Sequence, residues 1–322
     1  MLTAYLASGG ILCPRVMGEA DRVPEGAVWL DLVNPTPAEE QAVEAALGVD
    51  VPTRDDLRKI EPSERLYAEN GARYMTLSVL CGGATESPFL SPVSFILARG
   101  QLVTVRYADP RPFGVFAARL QKMAPEGLRG DTVLVALLET IISRAADILD
   151  EAGQDIERLS RGIFERARTR RDYRAILTQV GRKEGLTSYV REALNSASRM
   201  IAFLGMSDED DTFIRKALRS DLKNMSRDVQ GLSDYANFLA NKLQFMLDGT
   251  VGLVSLEQNN IIKIFAVLSV VFMPPTLIAS IYGMNFEHMP ELRMVAGYPV
   301  ALIAMVVSAI TPYLFFKWRG WL

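Results

Sequence analysis

The sequence predicts a water-soluble α+β domain, then long helices, then an all-α membrane domain with two transmembrane helices. Short apolar runs separated by turn residues fill about the first 120 residues, which is typical of strands. Farther along, apolar residues recur every three or four positions with few helix breakers, which indicates helices. Near the C-terminus, residues 264–286 and 294–316 each contain no charged residue over 23 positions. Runs of that length can cross about 30 Å of hydrocarbon.

Residues 1–125 are predicted to form the α/β domain. A helix is predicted to begin after Thr36, because Pro37 takes its first position and Glu39 its third, as in a capping box. A hairpin turn is predicted at 98–101. The predicted strands are 27–33, 73–80, 93–97 and 102–106.

Residues 126–210 are predicted to be cytoplasmic helices, and residues 211–286 a stalk helix that continues into the first span at about 264–283. From Thr212 onward the first proline is Pro274. A helix over most of this stretch is roughly 90–100 Å long at 1.5 Å per residue. It therefore has to leave any ordinary globular core.

The remaining segments are a loop at 284–297, a second span at 298–316 and a basic tail at 317–322. Two uncharged runs back to back disfavour the alternative of two buried core helices. The basic residues beside the spans are Lys263, Lys317 and Arg319 at the outer ends of the pair and Arg293 in the loop. The positive-inside rule then places both termini in the cytoplasm and the loop on the other side.

Composition argues against several other functions. The formal net charge is −3, so the chain as a whole is not a polyanion binder. The arginine-rich run at 158–174 contains interleaved acids, which favours a solvated, salt-bridged helix over a nucleic-acid contact. No phosphate-binding motif for ATP is present, and Cys13 and Cys81 lack metal-site spacing. The sequence therefore predicts neither an enzyme nor a partner that is a nucleotide or a nucleic acid.

The segment after the first span carries a specific motif. Tyr-Gly-Met-Asn at 282–285 is followed by Glu287 and by Met-Pro-Glu-Leu at 289–292. In this position, between two C-terminal spans, the motif closely resembles the signature of the CorA family of divalent-cation channels. The resemblance implies a funnel-shaped homopentamer in a bacterial inner membrane, with the loop in the periplasm. It also implies influx of Mg²⁺, and of Co²⁺ and Ni²⁺, down the electrochemical gradient, with gating by cytoplasmic Mg²⁺.

The same resemblance assigns site residues. The selectivity filter, which would bind the transported metal, is Gly283, Met284 and Asn285. Five predicted pore-lining residues match positions of the family's pore helix. Ser269 is added because spacings of three and four place it on the same helical face. The predicted pore-lining residues are Asn259, Ile262, Phe265, Ser269, Met273 and Thr276. By spacing alone this stripe could equally be a helix-packing surface.

A ring of Asn285 side chains suits Mg²⁺ because the ion sheds water reluctantly and amide oxygens can accept hydrogen bonds from its water shell. Carboxylates would hold the ion too tightly for flux. Glu287 and Glu291 lie just outside, where they either concentrate cations at the pore mouth or are ordinary loop residues. The paired prolines Pro274 and Pro275 predict a bend, which either exposes carbonyls to the pore or only shapes the bundle.

The family resemblance also implies regulatory Mg²⁺ sites in the soluble part. The candidates are Asp221 and Asp228 on the stalk, although Asn224 competes for the same position in the comparison and a solvated acidic face is the alternative. Two other functions stay open. One is the related ZntB-type zinc transporter, and the other is a membrane-tethered scaffold protein.

Overall fold

The computed structural model describes the chain except for residues 9, 19–20, 60, 84, 86, 125–126, 165–171, 207–213, 286–288 and 321–322. Within the described residues the chain divides into two compact units, Met1–Met246 and Leu247–Leu322. The boundary lies inside one long helix, so each unit is considered separately below.

The first unit is built on a seven-stranded mixed sheet with the strand order β2-β1-β3-β7-β6-β5-β4. All neighbouring strands are antiparallel except β3 and β7, which are parallel. The strands are β1 (Leu2–Ser8), β2 (Ile11–Val16), β3 (Ala27–Val33), β4 (Leu66–Glu69), β5 (Ala72–Cys81), β6 (Phe89–Ala98) and β7 (Gln101–Arg106).

Four of these strands confirm the predicted ones, and the turn between β6 and β7 confirms the predicted hairpin. Ala98 pairs with Gln101 across that turn, and Arg99 and Gly100 take φ angles of 51° and 78°. Two consecutive residues with positive φ give the tight turn that matches strand twist. The strands β1, β2 and β4 were not predicted.

The helices of the first unit cover both faces of the sheet. They are α1 (Pro37–Leu47), the single turn α2 (Pro62–Arg65), α3 (Arg111–Lys122), α4 (Gly130–Phe164), α5 (Tyr173–Gly205) and the first part of α6 (Arg219–Tyr282). On one face, α1 and the segment after it bury Val43, Leu47 and Val51 against the sheet. On the other face, Trp29 and Phe95 pack on Phe113 of α3.

The predicted start of α1 is confirmed. Thr36 accepts a hydrogen bond from the Glu39 amide, and the Glu39 carboxylate accepts one from the Thr36 amide at 2.9 Å. The chain leaves the helix at Gly48, where φ is 67°. This left-handed conformation favours glycine.

The helix predicted in the arginine-rich run at 158–174 is interrupted before Tyr173, and residues 165–171 lie outside the described residues. Helix α4 ends at Phe164 and α5 begins at Tyr173 after Asp172, whose carboxylate accepts a hydrogen bond from the Ala175 amide at 3.1 Å. The capping residue Asp172 lies within a run of charged residues, so it does not stand out in the sequence. Its preference for a helix N-terminus explains why a new helix begins there.

The second unit contains the end of α6 and α7 (Gly297–Trp318), with a short 3₁₀ helix, Pro290–Arg293, between them. Helix α6 runs unbroken for 64 residues, with Pro274 and Pro275 inside it, so the long helix predicted over 211–286 is confirmed for Arg219–Tyr282. Both helices are long and apolar enough to cross a membrane.

Candidate functional site

The candidate site is built where α6 ends. The helix closes with the Gly283 amide donating to the Ala279 carbonyl at 2.9 Å and the Met284 amide donating to the Ile281 carbonyl at 3.2 Å. A Cβ atom added at Gly283 would lie 3.2 Å from that Ala279 oxygen. Backbone cannot move aside easily, so glycine suits this position.

Asn285 follows this last turn and is exposed within the single chain. The final carbonyls of a helix have no partners within the helix and carry the negative end of its dipole. Gly283, Met284 and Asn285 therefore lie where the backbone favours a cation. An amide side chain adds a neutral oxygen acceptor at the same place.

The six predicted pore-lining residues share one side of α6. At 100° per residue they fall within roughly 120° of the helix circumference. All six are exposed within one chain, and Phe265 and Met273 are 64% and 68% exposed. The hydroxyls of Ser269 and Thr276 donate to the carbonyls of Phe265 and Phe272, at 2.9 and 2.8 Å. Both hydroxyl groups are therefore satisfied by the helix itself and keep an acceptor for water.

The opposite side of α6 lies next to α7. A cavity of about 420 Å³ is lined by Ala279 and Tyr282 of α6 and by Gly297 and Ala301 of α7. Val267, which projects to that general side, is 8% exposed, in contrast to the residues around it. The cavity is also lined by Gly283 of the predicted filter, but by none of the six predicted pore-lining residues.

The side chains of the two predicted mouth residues lie outside what the structure describes. Glu287 lies outside the described residues. The backbone of Glu291 lies in the 3₁₀ helix Pro290–Arg293, and its side chain is not described. Their predicted role stays a prediction.

The structure brings Asp221 and Asp228 together on one exposed side of α6. Both line a cavity of about 650 Å³ between α6 and α4, together with Asn224 and with Glu139 of α4. Within the described part of one chain, no group of three or more Asp, Glu, His or Cys residues is arranged to hold a metal ion. Glu139 was not predicted, because only the pairing of two distant helices brings it to this cavity.

The fold and the site define a class of protein: a membrane protein with a large α+β domain and two C-terminal spanning helices, the first of which ends in an exposed polar motif. The model of the CorA-like Mg²⁺ transporter proteins matches residues 24–318 of the chain. The chain is 33% identical to the magnesium transport protein CorA of Yersinia pseudotuberculosis, over the full length of both proteins.

Solved structures agree on the fold. The complete CorA magnesium transporter of Methanocaldococcus jannaschii matches with a TM-score of 0.77 at 18% identity, covering 100% of this chain and 99% of that one. The ZntB cytoplasmic domain of Vibrio parahaemolyticus matches with a TM-score of 0.59 at 11% identity, covering 79% and 97%. The chain belongs to the CorA-like Mg²⁺ transporter family.

Proposed function

We propose that this protein is a channel through which Mg²⁺ enters the cell down its electrochemical gradient. The observation that carries the proposal is the exposed Asn285 immediately beyond the C-terminal end of α6. Neutral amide and carbonyl oxygens at the negative end of a helix dipole attract a divalent cation without replacing its water shell. Full-length similarity to CorA magnesium transport proteins supports the same ion.

The conducting path requires several subunits, because two spans cannot enclose a pore. Closed cyclic symmetry would repeat the α6 pore face around one axis and place the Asn285 side chains in a ring. The proposed assembly is a funnel-shaped homopentamer in the bacterial inner membrane, with both termini in the cytoplasm. In it α7 faces the lipid and shields α6, which fits the absence of a comparable polar stripe in the second span.

Ile262, Phe265 and Met273 are proposed to form apolar constrictions along this path. Rings of apolar side chains can gate a pore by excluding water. Asn259, Ser269 and Thr276 are the polar positions between and beside them. Co²⁺ and Ni²⁺ are proposed as further substrates because they are hydrated divalent ions of similar charge.

Gating is proposed to use cytoplasmic Mg²⁺ bound near Asp221 and Asp228. Because the acidic residues at this cavity are not arranged to hold a metal ion within the described part of one chain, the site would be completed across a subunit interface. Bound Mg²⁺ would hold the subunits together and the pore closed. Glu139, at the same cavity, is a further candidate ligand.

A zinc transporter of the ZntB type is the alternative proposal. It shares the fold of the extramembrane part. The Met-Pro-Glu-Leu run after the filter motif and the magnesium transport relatives favour Mg²⁺. A membrane-tethered scaffold fits less well, since a pure anchor needs no polar residues along one face of its helix.

The filter assignment is tested by Mg²⁺ uptake into liposomes that contain purified Asn285→Ala. We expect uptake to fall to the level of protein-free liposomes while the oligomer, measured by size-exclusion chromatography with light scattering, stays intact. Asn195→Ala, which changes an exposed asparagine on α5, is the matched control and should transport normally. Uptake by Asn285→Ala at the wild-type rate would refute the filter.

A further inference from the structure

A cavity in the α+β domain has no part in the proposed transport path. Its volume is about 500 Å³, and it lies between the sheet and the segment that follows α1. Its floor is formed by Tyr74 and Thr76 of β5 and by Ser94 of β6. Thr76 and Ser94 are directly paired across the two strands, so their side chains emerge on the same face of the sheet. The volume is in the range of small-molecule sites.

Ser94 is the feature that points to a ligand. The residue is 0% exposed, and within the described part of the chain its Oγ atom has no hydrogen-bond partner. Its other cross-strand neighbour is Val105, whose side chain offers no polar atom. A buried hydroxyl without a partner is costly to a folded protein. A molecule in the cavity would supply the missing hydrogen bond.

The charge around the cavity selects the ligand class. Asp50, Asp56 and Glu64 line it, and Lys59 is the one basic residue beside them. The Lys59 ammonium already lies 3.2 Å from Asp56 and 3.5 Å from Glu64. The surroundings are therefore negative overall, and Asp50 is an exposed residue of the lining.

Tyr67 and Tyr74 lie close to the same negative charges. Tyr67 and Tyr74 stack with ring centroids 4.7 Å apart. Burial raises the pKa of both phenols, and the negative charges of Asp50 and Glu69 raise it further. The Tyr74 hydroxyl accepts a hydrogen bond from the Asp50 amide at 3.0 Å, so its own proton stays available to donate. An anion would be repelled here, whereas a cation would be attracted.

The cation is organic rather than a metal ion. The described residues contain no group of three or more Asp, Glu, His or Cys placed to hold a metal. Hydroxyls, aromatic rings and scattered carboxylates instead suit an ammonium group, which donates hydrogen bonds and interacts with ring faces. We propose that this cavity binds a small organic ammonium ion, with Ser94 Oγ accepting a hydrogen bond from it and Asp50 supplying countercharge. The proposal does not rest on the transport function.

The test is isothermal titration of the purified full-length protein with putrescine, in detergent and at saturating Mg²⁺ so that divalent sites are filled. We expect saturable binding to the wild type and none of butanediol, which has the same length but no charge. Ser94→Ala and Asp50→Asn should each weaken putrescine binding about tenfold, the effect of losing a hydrogen bond to a charged group. Because Ser94 Oγ has no partner in the protein, Ser94→Ala should not lower the thermal midpoint.

Ser91→Ala is the matched control. Ser91 is another buried serine of β6, three positions earlier and therefore on the opposite face, and its replacement should leave binding unchanged. The proposal is overturned if putrescine does not bind, if butanediol binds equally well, or if Ser94→Ala and Asp50→Asn bind putrescine as the wild type does. Equal weakening by Ser91→Ala would also overturn it.

Discussion

At the scale of single residues, a buried polar group joins the central strands of the sheet. The Arg106 guanidinium donates to both Asp31 carboxylate oxygens, through Nε at 3.1 Å and Nη2 at 2.9 Å. Thr104 donates to Asp31 at 2.7 Å and accepts from the Trp29 indole at 2.9 Å. Each of these four side chains thus has a hydrogen-bond partner, which is the condition under which a buried ion pair is tolerated.

Tyr5 lies beside this group and predicts an alkaline transition. It stacks on Trp29 with ring centroids 4.3 Å apart. Burial, with a smaller effect of the Asp31 charge, raises the pKa of its phenol from 10.0 to about 12. The folded state therefore keeps the proton while the unfolded state releases it. Stability is complete below pH 10 and falls as the pH rises from 10 towards 12, by roughly 3 kcal/mol at most.

Thermal midpoints measured across this pH range check the prediction. Tyr5→Phe should lose less stability between pH 10 and 12 than the wild type, since it has no phenol to ionise. Tyr189→Phe, at a tyrosine that is 37% exposed, should behave as the wild type. Identical pH dependence of Tyr5→Phe and the wild type would show that another group governs the transition.

At the scale of elements, the first part of α6 packs on α4. Lys242 of α6 pairs with Glu157 of α4, and Phe245 packs on Phe164 with ring centroids 5.6 Å apart. Gly153 of α4 lies against the Tyr235 hydroxyl, so a Cβ atom there would collide with it. The glycine therefore leaves room for the Tyr235 side chain between the two helices.

Gly153→Ala should consequently destabilise the protein by about 1–3 kcal/mol, the usual cost of overpacking. Gly181→Ala is the matched change on α5, where an added Cβ meets nothing within 4 Å. It should stabilise by up to about 1 kcal/mol because alanine favours helix. Thermal unfolding of both variants tests this prediction. A Gly153→Ala variant as stable as Gly181→Ala would contradict a close contact between Gly153 and Tyr235.

The elements that could be predicted from sequence are those whose local pattern agrees with their final environment. Strands β3, β5, β6 and β7 are nearly all buried and have strong apolar runs. Strand β2 escaped prediction because only Leu12 is buried in it and Pro14 interrupts it. Proline is tolerated there because β2 is an edge strand.

The features of the candidate sites also divide into those with a local sequence pattern and those without one. The predicted filter and the predicted pore face lie in α6 and the residues just after it, so a local motif and a family resemblance were enough to propose them, and their roles stay predictions. The proximity of Glu139 to Asp221, and of Ser94 to Asp50, depends on pairing between elements far apart in the chain. No local pattern carries that information.

At the scale of the whole molecule, we propose that cytoplasmic Mg²⁺ holds the subunits in a closed state and that its loss opens them. The double variant Asp221→Asn with Asp228→Asn should therefore conduct Mg²⁺ even when the internal concentration is millimolar. Asp234→Asn is the control, because Asp234 is exposed on α6 but does not line the cavity with the other two. Fluorescent measurement of Mg²⁺ entry into preloaded liposomes tests this, and normal closure of the double variant would reject these residues as sensors.

We propose that Mg²⁺ crosses the membrane through this protein by electrodiffusion. This proposal is tested most directly by comparing Mg²⁺, Co²⁺ and Zn²⁺ fluxes through the purified protein in liposomes, with and without an imposed membrane potential. Moving a divalent ion inward gains roughly 4–5 kcal/mol per 100 mV. Mg²⁺ and Co²⁺ uptake should therefore rise steeply with an inside-negative potential, without nucleotide. Zinc flux alone, or Mg²⁺ flux that does not respond to the potential, would contradict the claim.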